Sequence, residues 1–368
     1  MAGKNVPAIR FAGFDNIWEG AKLSNLADRY DNFRIPVAAS QRIAGNTPYY
    51  GANGILDYVD GYTHDGEFIL VAEDGANNLK NYPVQFVSGK IWVNNHAHVL
   101  QEKKNISNNL FLKYSISCSD IESILVGGTR AKLTSLNMMD IFLRYPELSE
   151  QKLIGKFYYH IDSIIDFNQQ KLTKLQNFKQ AMLEKMFPKP GETVPEVRFK
   201  GFSGEWYSCN LQDEADNIET GKSKFTIKSS GQYKILGSTS VIGYDDSYDY
   251  EGNFLLTARV GANAGDLYRH SGKVKISDNT VFIKGENLNY IYYVLTKFDI
   301  KKLSFGTGQH LVKASELKKI QIQSPRDIKE KNLISNFFVN IDNSIKLTKQ
   351  KLAKIKNIKQ ALLNKMFV

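Results

Sequence analysis

The sequence predicts an α+β chain: two strand-rich α/β domains separated by two long antiparallel coiled-coil helices, with a pseudo-two-fold internal repeat. Three observations predict it. Val6-Pro7-Ala8-Ile9-Arg10-Phe11-Ala12-Gly13-Phe14, with Trp18 following, returns 188 residues later as Val194-Pro195-Glu196-Val197-Arg198-Phe199-Lys200-Gly201-Phe202, with Trp206 following. Gln170-Lys171-Leu172, Lys179-Gln180-Ala181 and Lys185-Met186-Phe187 return as Gln350-Lys351-Leu352, Lys359-Gln360-Ala361 and Lys365-Met366-Phe367. Each of these closing signatures ends a stretch whose apolar residues fall seven apart. A period this long is a duplicated domain, not a solenoid repeat.

The first domain spans 1–148. Glu67-Phe68-Ile69-Leu70-Val71-Ala72 and Lys90-Ile91-Trp92-Val93 are short apolar runs between Gly, Asn and Asp turns, which is strand punctuation. The spacer helix over 149–187 holds one glycine, Gly155, and no proline before Pro188. Ile154, Ile161, Asn168, Leu175 and Met182 form one heptad line, and Tyr158, Ile165, Leu172, Lys179 and Met186 the other. Phe157, Ile164 and Phe178 flank this seam. Pro188-Lys189-Pro190-Gly191 stops the helix.

The second domain spans 188–326 and repeats the frame. Asn253-Phe254-Leu255-Leu256-Thr257-Ala258 and Val274-Lys275-Ile276 answer the two apolar runs, and Gly261-Ala262-Asn263 answers Gly75-Ala76-Asn77. Between these echoes the loops diverge, as expected of two specificities on one scaffold. The second spacer helix, 327–368, keeps the register: Ile334, Ile341, Thr348, Ile355 and Leu362 on one line, Phe338, Ile345, Leu352, Lys359 and Met366 on the other. A helix of about 39 residues is roughly 58 Å long. It cannot hide its stripe in its own domain, so each helix is the other's simplest partner, and pseudo-two-fold symmetry makes them antiparallel. The seam is expected to bury Ile161, Ile165, Leu172, Leu175 and Met182 against Ile341, Ile345, Leu352, Ile355 and Leu362. Asn168 and Thr348 either fix register or sit at a wet edge.

The 368 residues, 42% hydrophobic, suffice for two cores, and a net charge of +10 admits a polyanionic partner. Cys118 and Cys209 have no C-x-x-C spacing, so reduced, cytoplasmic thiols are expected. The N-terminus has no apolar signal core, and no run of about 18 apolar residues suits a membrane. His64, His96, His98, His160, His270 and His310 lack metal-ligand spacing; His96 and His98 read as one face of a strand. There is no G-x-x-x-x-G-K-[ST] loop, and Gly306-Thr307-Gly308 is too short for a dinucleotide fingerprint.

The paired Val-Pro-x-[Ile/Val]-Arg-Phe-x-Gly-Phe starts and the paired helix ends bracket two divergent domains over nearly the whole chain. In this the sequence resembles the specificity subunit of Type I restriction-modification systems. The resemblance implies a non-catalytic DNA-recognition subunit. Each domain would be a target-recognition domain reading one half of a bipartite sequence in double-stranded DNA. The helices would set the spacing and dock two methyltransferase (modification) subunits for adenine-N6 methylation. Motor-nuclease (restriction) subunits would add cleavage of unmodified DNA. S-adenosylmethionine, ATP and Mg are expected on those partners and none directly on this chain. The missing Asn/Asp-Pro-Pro-Tyr/Phe motif agrees, since Thr47-Pro48-Tyr49-Tyr50 lacks its amide or acid and its second proline.

Base reading needs bidentate donors, and phosphate binding needs cations, hydroxyls and backbone N–H groups. Three clusters qualify. Gly127-Gly128-Thr129-Arg130-Ala131-Lys132 offers Thr129, Arg130 and Lys132, and its counterpart Gly306 to Lys313 offers Thr307, Gln309, His310 and Lys313. The loop before the shared strand offers Gln41, Arg42 and Asn53 in one domain and Lys222, Lys224, Ser238 and Thr239 in the other. The turn after that strand offers Asn77, Lys80, Arg259 and Asn263. For the first cluster DNA contact is preferred to a tight turn with solvated charges; the second suits a groove-facing loop and a surface turn alike; in the third the glycines and alanines are read first as shaping a turn. Trp18 and Trp206, with Phe14 and Phe202, read as core or helix anchors because they repeat. Lys349, Lys351, Lys354, Lys356 and Lys359 read as a solvated or partner-facing surface, with phosphate contact the alternative. The rival class is an interaction scaffold, two binding modules on a coiled-coil rod.

Overall fold

The computed structural model describes residues 6–128, 131–303 and 311–367. It divides into two compact units: Met1–Gln169 with Gln350–Val368, and Gln170–Lys349. Each takes part of both long helices.

In the first unit, β1 (Glu19–Lys22), α1 (Leu23–Leu26) and β2 (Ala27–Arg29) lead to β3 (Ala44–Gly51), β4 (Gly54–Val59), β5 (His64–Ala72), β6 (Val84–Val93) and β7 (Ala97–Glu102). Then come α2 (Asn109–Ser117), α3 (Ser135–Met139), β8 (Phe142–Tyr145) and the long helix α4 (Leu148–Lys185). The second unit holds β9 (Tyr207–Asn210), β10 (Asn217–Thr220), β11 (Tyr233–Leu236), β12 (Val241–Asp245), β13 (Tyr250–Ala258), β14 (Leu267–Ile276) and β15 (Thr280–Lys284). It closes with α5 (Leu288–Phe298), α6 (Ala314–Lys318), β16 (Gln321–Ser324) and the long helix α7 (Ile328–Met366).

The repeat is exact in topology. One six-stranded sheet has the order β2-β7-β5-β6-β3-β4 and the other β10-β15-β13-β14-β11-β12. In each, one pair is parallel, β3 with β6 and β11 with β14, and the rest are antiparallel. A two-stranded ribbon, β1 with β8 or β9 with β16, joins the start of each domain to the strand before its helix.

The central strands read as unbroken apolar runs because both sheet faces are covered. Ile69 and Val71 enter the core shared with α2 and the long helices, while Phe68 and Leu70 enter a second cluster with Val87, Val93 and Val99. Leu255 faces α5, and Phe254 and Leu256 face Val274 and Phe282. This is the period-two alternation of a strand with apolar residues on both faces.

Both heptad lines are inward. Leu172, Ile341 and Leu352 are buried, and Ile161, Ile165, Leu175, Met182, Ile345, Ile355 and Leu362 are half-buried. Within the first unit the start of α4 (Ile154, Tyr158, Ile161) packs with the end of α7 (Leu362, Leu363, Met366), so the helices run antiparallel. Within the second unit Met182, Leu183 and Met186 pack with Ile334, Phe338 and Ile341 in the same sense. Asn168 and Thr348 are buried and bond back along their own helices, Asn168 Nδ2 to Ile164 O and Thr348 Oγ1 to Ser344 O, both at 2.7 Å. Their burial goes against a wet edge, and each side chain bonds along its own helix.

Each opening signature anchors on the helix ends. Arg10 donates from Nε and Nη2 to the two oxygens of buried Glu150, both at 2.7 Å, and Arg198 does the same to Glu330 at 2.6 and 2.8 Å. Ile9 N bonds Lys365 O and Val197 N bonds Lys185 O. Trp18 packs edge-on against Phe111 and Phe367, and Trp206 against Phe187. The tryptophans are therefore helix anchors. Asp162 accepts from Lys113 and Tyr114 at 2.7 Å each and also from Lys359; in the second unit Asp342 accepts from Lys179 and Tyr293. Lys359 is thus bound in an ion pair and is not one of the solvated helix lysines. Burial works against the charge on Asp162, but Lys113, Lys359 and Tyr114 hold its carboxyl below the usual carboxylate range.

Candidate nucleic-acid interface

In the first unit four loops meet at one junction. Asn53, in the tight β3–β4 turn, donates from Nδ2 to Gly75 O and accepts from Asn77 N, both at 2.9 Å, and so clamps the turn to the β5–β6 loop. The β5–β6 loop begins at Glu73 and Asp74. Glu73 N bonds His96 O in the β6–β7 turn, and Leu133 N bonds Glu73 O. Asp74 bridges Lys132 through the backbone. Asn94 N, in the β6–β7 turn, returns to Tyr50 O. Gly75 has φ +67°, a left-handed turn that glycine adopts without strain, and its repeat partner Gly261 has φ +87°.

A charged network underlies this junction. Glu73 accepts from Arg34 Nη1 at 2.6 Å and pairs with Lys132 Nζ at 2.7 Å. His98, inside β7, faces Asp31 Oδ2 with Nδ1 at 2.7 Å and Leu133 O with Nε2 at 2.9 Å. The ring is thus held at both nitrogens between a carboxylate and a main-chain carbonyl. Burial opposes the Asp31 and Glu73 charges, yet His98 holds Asp31 and Lys132 and Arg34 hold Glu73 below their ordinary values.

The second unit builds the same junction from other side chains. Ser277 N bonds Leu236 O, Arg259 N bonds Asn279 O, and Val312 N bonds Arg259 O. Each repeats a bond of the first unit at the equivalent position. Ser238 Oγ donates to Asn279 O at 3.3 Å, and Tyr268 OH donates to Gly237 O. Where the first unit has Glu73, the second has Arg259, whose Nη1 donates to Asp278 O at 3.2 Å. The backbone frame is shared and the charge is reversed.

The junctions gather Asn53, Asn77 and Lys132 in the first unit, and Ser238, Thr239, Arg259, Asn263 and Lys313 in the second. Asn77, Thr239, Asn263 and Lys313 are exposed there, while Asn53 and Lys132 are engaged in holding loops. Lys222 and Lys224 flank the second junction, since Gly221 N bonds Thr280 O and Ser223 N bonds Ile276 O. Lys80 lines a separate groove with Lys113, Arg144 and Lys356. Gln41 and Arg42 lie apart, beyond the far end of the β3–β4 hairpin. There Arg42 stacks on Tyr49 at 4.3 Å and pairs with Asp57. Thr129, Arg130, Thr307, Gln309 and His310 lie outside the described residues.

One expectation is corrected. His96 and His98 do not share a strand face: His96 sits in the turn Asn94–His96 and only His98 is in β7. The turn begins at Asn94, whose Oδ1 accepts from His96 N at 2.8 Å. Asn94-Asn95 before the second apolar run was the available signal, since paired asparagines favour turns.

Among the described residues no cluster of His, Cys, Asp and Glu could hold a metal, and no helix is long and apolar enough to cross a membrane. Cys118 and Cys209 are unpaired, and burial pushes the Cys209 thiol up to about 11. The fold is a duplication: two loop-bearing sheets of the same topology, each packed on segments of both long helices.

The family model for the Type I restriction modification DNA specificity domain matches residues 16–177 and again 205–357. The chain belongs to that family and is a specificity subunit, the DNA-recognition component and not the catalytic one. A stretch of 138 residues is 46% identical to a chain from Haemophilus influenzae named for a type I restriction enzyme specificity subunit; it makes up 38% of this chain and 36% of that one. The Type I restriction enzyme MjaVIII specificity subunit of Methanocaldococcus jannaschii is 23% identical over 94% of this chain and 91% of its own. The crystal structure of the Type-I restriction-modification system S subunit from M. genitalium superposes with a TM-score of 0.78 at 13% identity, covering 99% of both chains. That likeness is one of fold.

Proposed function

We propose that each sheet domain reads one half of a bipartite target in double-stranded DNA, acting in the cytoplasm on the cell's own genome. The observation that carries this is the pair of junctions: one backbone frame, built twice, bearing different exposed side chains. A frame that repeats serves structure, and side chains that differ on it serve two specificities. Exposed Thr239 and Lys313 are of the types that reach base edges and phosphates. The two half-sites then lie near one helical turn apart, on the order of 34 Å.

The helices set that spacing and dock two methyltransferase subunits. Their outer faces support this. Leu153 and Leu333 are 45% and 43% exposed, Phe167 and Leu347 66% and 65%, and Phe178 and Ile358 both 46%. Large apolar residues held in water at equivalent positions of both copies suit two identical partners. The partners supply the chemistry: S-adenosylmethionine for adenine-N6 methylation after base flipping, and ATP and Mg on motor-nuclease subunits for cleavage of unmodified DNA.

Methylome sequencing of a host with and without this gene tests the proposal. A two-part motif with a fixed spacer that disappears with the gene is the expected result. Gel shifts over a salt series add the binding arm: affinity should fall steeply as salt rises. No motif and no salt-dependent DNA affinity would leave the scaffold reading standing.

A further inference from the structure

The β6–β7 turn of the first unit and the β14–β15 turn of the second occupy the same place in the two junctions. Asn94 N bonds Tyr50 O as Ser277 N bonds Leu236 O, and His96 O accepts from Glu73 N as Asn279 O accepts from Arg259 N. Those paired bonds make His96 and Asn279 structural equivalents. Their main chains hold the frame and their side chains differ.

Each side chain is directional. His96 is 41% exposed, and its Nδ1 faces Asp74 Oδ1 at 2.5 Å. The contact pins the Nδ1 edge of the ring to the Asp74 carboxylate while the side chain stays partly exposed. Asn279 is exposed in its turn, with its carbonyl held by Arg259 N and by Ser238 Oγ. An amide can make the paired donor-and-acceptor contact that adenine N6 and N7 require, and an imidazole edge can make a single contact to a purine.

We infer that His96 and Asn279 are paired specificity-determining residues, each contacting a purine edge in its own half-site, Asn279 an adenine. This rests on the reading of the two domains as DNA readers. Neither residue belongs to the three loop clusters that residue type singles out in the sequence. What brings them forward is the repeat of main-chain bonds around them.

The test uses the full chain produced with its methyltransferase partner in a methylation-free host, comparing wild type, His96→Ala and Asn279→Ala by methylome sequencing. Each variant should relax one base position, in opposite halves of the motif, with the other half unchanged. Binding to single-base-variant duplexes should show discrimination at that position falling roughly 5- to 150-fold, the range one well-placed base contact supplies. An unchanged motif in both variants overturns the inference. So does uniform loss of methylation at every site without a shifted motif, because that makes the residues structural. Exchange of residues 19–145 for another recognition domain separates the two levels. If the exchange rewrites one half while both point variants are silent, this inference alone fails. If the exchange rewrites neither half, the underlying reading fails.

Discussion

Removal of the carboxylate that each opening signature grips should destabilise its own unit by an amount the geometry bounds. Glu150 is fully buried, and Arg10 binds both its oxygens; Arg10 Nη1 also donates to Asn16 O at 2.6 Å. The hydrogen bond to Glu150 raises the Arg10 pKa, so the guanidinium stays charged throughout the accessible pH range. Glu150→Ala strands a cation with little water around it, a loss of about 3–5 kcal/mol. For a unit of this size, with about 2–4 °C per kcal/mol, the transition should fall by roughly 6–20 °C. Glu330→Ala should do the same in the second unit, where Arg198 makes the matching fork and donates to Gly204 O. Hydrogen exchange of peptides from β5 and from β13, followed through denaturant, assigns each loss to its unit. The pair Arg10→Met with Glu150→Met should recover most of the stability, because a buried ion pair is close to neutral against an apolar pair of similar volume. A loss under about 1 kcal/mol for either single variant, or a loss in only one of the two, would refute the equivalence of the anchors.

Further outcomes follow from other contacts. Asn53→Ala removes two hydrogen bonds between loops, about 1–3 kcal/mol of local stability, and should speed amide exchange at Asn77 while leaving the sheet protected. Asp31, Glu73, Asp162 and Glu214 all sit below their ordinary pKa values despite burial. Their stabilisation is complete above the unfolded carboxylate values, near pH 4 to 4.5, and is lost as pH falls through the folded ones. Melting temperature should hold down to about pH 5 and then drop, and Asp162→Asn should shrink that drop. Phe167→Asp with Leu347→Asp should leave the melting curve within about 1 kcal/mol of wild type, since both positions are exposed, yet abolish co-purification of methyltransferase subunits.

The sequence made the frame legible because the frame repeats. Heptad spacing identified Leu172, Ile341 and Leu352 as buried, and the repeat marked Trp18 and Trp206 as core or helix anchors, while Arg10 and Arg198 in the same signature carried no assigned role. It left their partners unnamed, because Glu150 lies 140 residues from Arg10 and no local period links them. The loop clusters were legible as loops, but residue type alone does not show that the Asn53 amide clamps a turn or that Arg42 stacks on Tyr49. Alternation with His98 imitates period two, which is why the sequence places His96 on a strand. The turn that separates them depends on the Asn94 side chain accepting from His96 N, a bond that alternation does not encode. Lys359 has the pattern of a solvated helix lysine, but its partner Asp162 lies 197 residues away and no local spacing announces it.

The central claim is that two halves of one chain read two halves of one target. Replacement of residues 19–145 by the corresponding domain of another family member, followed by methylome sequencing, measures it most directly. One half of the methylated motif should change while the other half and the spacer remain. Change in both halves, or in neither, would contradict the account.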